Sequence, residues 1–200
     1  MPPIKLPASP IPNLHTIELT SNHESMLRLF FDANPQYFLA VHGEPAGRNE
    51  AHEEIHGELP SGWSFTKKWL IGYVDTESNL VAMANIVSDL LALGVWHIGL
   101  FIVATSHHGS SDAQTIYRGL ETWVIESGAQ WLRLGVVQGN ARAERFWKSL
   151  GYMQTRTRDG VAMGKLTNTI SVMVKPLAGG SLEQYLSLIE RDRPEYIGKL

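Results

Sequence analysis

The run His108-Gly109-Ser110-Ser111-Asp112-Ala113 stands between an apolar, strand-like segment and a helix-like one. The first N–H groups of a helix have no intrahelical acceptor, and with the helix dipole behind them they form a site for a pyrophosphate. Gly109 permits close approach of the backbone to such a group. The plainer alternative is a connecting turn. A second set of residues points to different chemistry. His52-Glu53-Glu54-Ile55-His56 matches H-E-x-x-H, which on a helix places two imidazoles on one face as zinc ligands, with Glu53 as general base. The extended pattern wants a glycine three residues after the second histidine and another histidine three beyond, but Leu59 and Gly62 occupy those places. Ile55 is the only large apolar residue in this short segment, and the candidate third ligand Glu77 lies in a hairpin turn. A zinc peptidase is therefore a minor alternative, and no metal is expected. A third feature is the stretch from Asn34 to Phe65, where His42, Glu44, Glu50, His52, Glu53, Glu54, His56 and Glu58 face Arg48 as the one permanent cation, with Trp63 and Phe65 nearby. An acidic, aromatic rim would favour a cationic ligand by Coulomb attraction and cation–π contact. A solvated loop is the alternative.

These residues need elements to hold them, and hydrophobic periodicity supplies the elements. Trp96 to Val103 reads as a strand. Ala113, Ile116, Leu120, Trp123, Val124 and Ser127 recur at threes and fours and share a helix face, with Ser110 or Ser111 as cap and Gly128 at the end. Trp131 to Val137 is a strand, and Asn140 caps a second helix whose Ala143, Phe146, Trp147 and Leu150 fall on one face before Gly151 stops it. Strand, turn, helix, strand is a βαβ unit, so its two strands should be parallel with a right-handed crossover. Upstream, Ser21-Asn22-His23-Glu24 has the form of a capping box before a helix that ends ahead of Pro35. Lys68 to Val74 and Leu80 to Leu90 flank the turn Asp75 to Asn79 and lead through Leu93-Gly94-Val95 into Trp96, an antiparallel meander. Between Asn34 and Phe65, glycines and prolines surround one helical candidate, Asn49 to Glu58. Tyr152 to Arg158 and Asn168 to Val174 are further strands, and Ser181 to Arg191 is a terminal helix.

Composition sets the bounds. The 200 residues, 44% hydrophobic and 18% charged, suit one α/β domain over 1–200, with an extended proline-rich arm (1–20), a core (21–177) and a C-terminal helix and tail (178–200). A net charge of -3 with no basic block argues against nucleic acid. The absence of cysteine excludes disulfides, thiol nucleophiles and Cys-ligated zinc. No apolar run approaches the ~20 residues a membrane helix needs. The first residues, MPPIKLPASPIPNL, lack the basic and long apolar regions of a signal peptide. A soluble, cytoplasmic protein is the expectation.

Two motifs in this order resemble the acetyl-CoA-binding half of the GNAT N-acetyltransferase superfamily. Phe101-Ile102-Val103 stands for the family's strand, and His108 to Ala113 for its [RQ]-x-x-G-x-[GA] turn, with His108 in place of Arg or Gln and Ser111 in place of Gly. Asn140-Ala141-Arg142-Ala143-Glu144-Arg145-Phe146-Trp147-Lys148-Ser149-Leu150-Gly151-Tyr152 stands for its N-x-x-A helix and strand. The resemblance implies a mixed sheet in which an antiparallel meander is followed by a βαβ crossover unit with a splayed parallel strand pair. It implies acetyl-CoA as co-substrate, held by Phe101, Ile102, Val103, His108, Gly109, Ser110, Ser111, Asp112, Ala113, Asn140 and Trp147. The acceptor would be a primary amine on a small molecule or peptide, and a homodimer is compatible with the family. Trp147 takes the place where many members carry a thiolate-protonating Tyr, and indole has no titratable proton. Tyr152 and Tyr117 are candidate replacements, with packing residues as the plainer reading, and His97 is the candidate base, since an imidazole near its usual pKa of about 6.5 can take a proton from an ammonium, with a partly buried, hydrogen-bonded histidine as the alternative. A non-catalytic acyl-CoA-binding module is the alternative.

Overall fold

A computed structural model describes residues 4–196. Four strands, β1 (His15–Glu18), β2 (Lys67–Val74), β3 (Leu80–Ser88) and β4 (Val95–Val103), pair antiparallel in chain order. β4 then pairs in parallel with β5 (Trp131–Val137), and the hairpin of β6 (Met153–Met163) and β7 (Leu166–Pro176) completes a seven-stranded sheet of order β1-β2-β3-β4-β5-β7-β6. This is the mixed sheet expected from the meander and the βαβ unit. Helices cover both faces. α1 (Glu24–Ala33), α2 (Gln36–His42) and α3 (Glu50–His56) lie on one, and α4 (Asp112–Glu126) and α5 (Ala141–Ser149) on the other. α6 (Leu182–Leu188) packs its Tyr185 with Val95, Trp131 and Val174.

The core under α4 is aromatic. Trp69 and Trp96 stack at 5.3 Å, and Trp123 of α4 meets both edge-on at 5.4 and 5.5 Å, an arrangement the ring quadrupoles favour. The Trp123 indole N–H donates to the Lys5 carbonyl at 2.7 Å, and Leu6, Ile11 and Leu14 pack on this core.

Three expectations need correction. The proline-rich start is not merely an extended arm, because His15–Glu18 forms an edge strand on β2; four residues are too few to show a period. α2 lies where loop was expected. Pro35 pre-sets its first turn, and Gly43, at φ 73°, ends it with its N–H on the Leu39 carbonyl. The cap before α1 is one residue early, since the Thr20 N–H donates to His23 Nδ1 at 3.1 Å and Ser21–His23 is a 3₁₀ turn.

The feature that creates a site is a fault in the sheet. β4 and β5 pair only from Val95↔Trp131 to Ile98↔Leu134. At that point β4 bulges: Ile86 opposes Ile98 and Asn85 opposes Leu100, leaving Gly99 without a partner on β3. Such an extra residue bends its strand and increases the local twist. Beyond it β4 follows β3 and β5 follows β7, so the parallel pair splays. Gly99 suits the bulge, because a Cβ there would stand 3.3 Å from the Asn85 side chain.

Candidate functional site

Two cavities open along the splay. The first, of about 230 Å³, lies between the end of β4 and α5 and is lined by Phe101, Ile102 and Val103 of β4, His108 and Ala113, and Asn140, Ala143, Phe146 and Trp147. All of these except Ala143 and Phe146 belong to the residues expected to bind the co-substrate. From Gly99 to Val103 the edge of β4 that faces β5 has no strand partner, so its main chain can pair with an extended ligand arm. Asn140 caps α5 by accepting from the Ala143 N–H at 3.2 Å. Phe101 and Phe146 stack at 6.1 Å and form the apolar wall.

Gly109, Ser110, Ser111 and Asp112 do not line this cavity; they form the turn at its outer end, and two observations fit that turn to a pyrophosphate. The N–H groups of Gly109, Ser110, Ser111, Ala113 and Gln114 have no backbone or side-chain acceptor among the described residues. Gly109, at φ 87°, has open space around the position of a Cβ, so glycine is required there by backbone conformation and the cradle is clear. Electrostatics favour an anion through a residue the motif comparison passed over. The His108 Nε2–H donates to the Val103 carbonyl at 3.0 Å, which leaves Nδ1 to accept from Arg142 at 2.7 Å. Burial and the Arg142 charge hold the imidazole below its usual pKa. His108 is thus a neutral relay, and Arg142 brings the permanent cation that the usual Arg of the turn would supply. The Asp112 carboxylate is engaged by His107 at 2.7 Å, and bonds from His107 and Ser110 keep it below the usual carboxylate range.

The second cavity, of about 290 Å³, lies between β4 and β5, with Tyr37 and Val41 of α2 and Ala143 and Trp147 of α5 in its wall. Its lining runs from His97 to Phe101 on β4 and from Arg133 to Val137 on β5, and includes Trp63, Arg158 and Met163. Tyr37, Phe101, Asn140, Ala143 and Trp147 line both cavities, so the two meet at the splay. Tyr37 is contributed by α2, the helix missed in the sequence. Its hydroxyl has no partner among the described residues, and burial together with the charges of Glu54 and Glu50 pushes its pKa up, so it stays protonated.

The proposed acid and base fare differently from the binding residues. His97 does line the second cavity, but burial and the neighbouring Arg133 hold its pKa down to about 3. Its Nδ1 lies 3.4 Å from an Arg133 nitrogen. An imidazole so disposed is neutral but weakly basic, a poor match for a base working near neutrality. Tyr152 lines neither cavity; it is buried behind Trp147, its hydroxyl 3.0 Å from that of Tyr117, and burial raises its pKa. Tyr117 is buried likewise. Among the described residues Glu54 is the one carboxylate held above its usual range, by burial first, and it accepts from Asn85, the residue beside the bulge, at 2.6 Å.

The acidic segment is not the rim it was expected to be. None of its eight histidines and glutamates lines either cavity; Tyr37, Val41 and Trp63 do so in their place. The reason is geometric, since α3 lies over α1, where His52 Nδ1 is 3.0 Å from Glu24 and His56 Nε2 is 3.4 Å from Ser21 Oγ. Glu24, His52 and His56 come close enough to share a metal ion, but on the surface and away from both cavities. Sequence reasoning also passed over Asn34, Gln36, Ala40, Arg133 and Arg158. Arg142 alone left a signal, as a permanent cation two residues after the capping Asn140.

A mixed sheet splayed beside a bulge, with an anion-suited turn at the mouth of the split, is an α/β architecture that can seat two molecules side by side. Residues 18–152 match the model of the Acetyltransferase (GNAT) family, and the chain belongs to that family. Solved structures of similar fold include an acetyltransferase from Thermus thermophilus (17% identity, TM-score 0.63, covering 82% of this chain and 97% of that one). The ribosomal-protein-S18-alanine N-acetyltransferase of Escherichia coli is similar over 84% of this chain and 97% of that one (12% identity, TM-score 0.60). The spermidine N-acetyltransferase of Vibrio cholerae, solved with CoA and spermine, is similar over 82% and 95% (13% identity, TM-score 0.62). No curated protein matches the sequence. Among the described residues no helix is long and apolar enough to cross a membrane.

Proposed function

We propose that this protein is an acetyl-CoA-dependent N-acetyltransferase acting on a primary amine of a small molecule or peptide. The observation that carries the reading is the meeting of two cavities at the splay, one with an open strand edge and an orphaned helix N-terminus, the other open to a second ligand. Two of the structural neighbours are named for amine acceptors, an alanine of ribosomal protein S18 and spermidine.

In this proposal the turn at Gly109 to Ala113, with Arg142, holds the pyrophosphate, and the β4 edge holds the pantetheine arm. The thioester supplies an activated acyl group at the seam, and the acceptor amine arrives from the second cavity. The chain contributes position first, bringing two reactants into one geometry. Main-chain N–H groups of β4 at and after the bulge polarise the thioester oxygen. The neutral amine attacks the carbonyl carbon, the C–S bond breaks, and the proton lost by the nitrogen offsets the charge on the departing sulfur. Glu54 is the candidate base, through water, because neither it nor Asn85 lines the cavities. Tyr37, kept protonated at the seam, is the candidate hydrogen-bond donor to the sulfur.

A thiol-release assay with acetyl-CoA over amino acids, polyamines, aminoglycosides and peptide N-termini tests the reading. Release with an amine, and mass spectrometry showing one acetyl group on it, is expected. Tight CoA binding with no release for any amine would leave the non-catalytic acyl-CoA module as the better description.

A further inference from the structure

The second cavity has an unusual charge arrangement. Arg133 and Arg158 line it, and behind them Arg156 and Arg191 add two more guanidinium groups that act on Arg158 around the single carboxylate of Asp192. Arg133 takes both oxygens of Asp192, through Nε at 2.6 Å and a terminal nitrogen at 3.1 Å. Arg156 reaches Asp192 only at 3.9 Å, and Arg191 lies over the ring of Trp63 at 4.6 Å. Arg158, which lines the cavity, has no hydrogen-bond or ion-pair partner among the described residues, and the Nε atoms of both Arg156 and Arg158 are buried without an acceptor.

Like charges gathered in a partly buried place raise the free energy of the site, and a buried donor without an acceptor raises it further. Burial and the neighbouring arginines depress the Arg158 pKa, the same strain seen as titration. An anion entering the cavity would relieve both. A guanidinium fork matches the two coplanar oxygens of a carboxylate in particular. The rest of the wall is mainly apolar, with Val41, Leu134, Val161, Met163 and Ile170, and about 290 Å³ is room for a small molecule.

We infer that the acceptor is an amino acid or similar small amine bearing a carboxylate, held by Arg158 together with the cavity-facing side of Arg133, with its amine directed to the splay. This rests on the N-acetyltransferase reading and adds the substrate class. It also replaces the cationic acceptor suggested by the acidic stretch from Asn34 to Phe65, none of whose histidines and glutamates lines either cavity.

The test pairs each of a panel of L-amino acids with its C-terminal amide, adds O-phosphoethanolamine and spermidine, and measures thiol release from acetyl-CoA together with calorimetric binding. For at least one amino acid, kcat/KM and affinity should exceed those of its amide by about tenfold or more. Arg158→Gln should shrink that preference to within about threefold while leaving CoA affinity unchanged; circular dichroism would confirm its fold. Preference for O-phosphoethanolamine over every amino acid would overturn the carboxylate in favour of a phosphate. Equal use of acids and amides, better use of spermidine, or binding of no panel member would overturn anion selection altogether. If no amine releases thiol but carboxylates still bind in preference to their amides, the catalytic reading fails and the anion site stands.

Discussion

In the turn proposed to hold the pyrophosphate, the permanent cation stands on another element. His108 cannot supply a permanent charge, and its pKa is held low, so at neutral pH the turn carries its cation on Arg142. A group whose folded pKa is depressed is deprotonated through the whole range above its ordinary value, here about 6.5. CoA affinity should therefore be flat from pH 7 to 9, and Arg142→Gln should lower it by about tenfold, ~1.4 kcal/mol, by calorimetry. A slope through that range in the wild type would show that His108 carries the charge. The acceptor side makes a second residue-scale prediction. Glu54 is raised from its usual value, and a base must lose its proton to act, so activity should fall with decreasing pH along a limb that lies above the ordinary carboxylate range. Glu54→Gln should remove that limb and cost about 100-fold in kcat, with CoA affinity kept. Exposed Glu53 is the control: its Gln variant should behave as wild type in the same pH–rate profile.

At the scale of elements, what was legible follows from period and punctuation. α4 and α5 announce themselves because Ile116, Leu120, Trp123 and Val124, and then Ala143, Phe146 and Trp147, repeat on one face. The strands that flank them are continuous apolar runs, as buried parallel strands are. α2 was hidden because seven residues give barely two turns, and β1 because four residues give no alternation to count. Without α2 the position of Tyr37 cannot be read, nor can the corner at Asn34. That corner is a hinge of polar contacts: Asn34 Nδ2 donates to the Phe30 carbonyl at 2.8 Å, and its Oδ1 accepts from the Thr105 N–H, just past β4, at 2.6 Å. It ties α1 and the start of α2 to the strand the co-substrate would follow. Asn34→Ala would orphan a buried N–H and carbonyl and should destabilise the fold by about 1–3 kcal/mol in urea unfolding. Because Asn34 also lines the first cavity, CoA affinity should fall as well. Loss of affinity without loss of stability would mean that the side chain acts as a ligand contact and not as a tie.

Over the whole molecule, the sequence predicts the half proposed to bind the co-substrate better than the half proposed to face the acceptor, and the reason is distance along the chain. Most of the first half comes from a local unit, Trp96 to Tyr152, to which the chain adds Asn34, Gln36, Tyr37 and Ala40. The second is assembled from Trp63, Arg133, Arg158 and Asp192, residues that no spacing connects. Asp192 is the tie: fully buried in a 3₁₀ turn after α6, it bonds Arg133 of β5 and the Tyr185 hydroxyl at 2.5 Å. Burial alone would raise its pKa, and the bonds from Arg133 and Tyr185 more than offset this and lower it. Groups with depressed folded pKa values make stability fall with acid, and His97 and Asp192 are the most buried of them. His97 contributes from about 6.5 down to about 3, because the unfolded chain binds a proton there that the folded chain does not. Asp192 contributes below its unfolded value of about 3.9. Between pH 6.5 and 5 the loss due to His97 should be at most about 2 kcal/mol, and His97→Gln should flatten that part of the profile. Removing the carboxylate is more severe, since it strands the buried Arg133 charge. Asp192→Asn should cost about 3–5 kcal/mol at pH 7, whereas Asp192→Leu combined with Arg133→Met, which removes both charges, should recover most of the loss. If in urea unfolding the double variant were no better than Asp192→Asn, the Asp192 side chain would matter for its packing and its bond to Tyr185, and the ion pair would not be what fastens the C-terminal turn to the sheet.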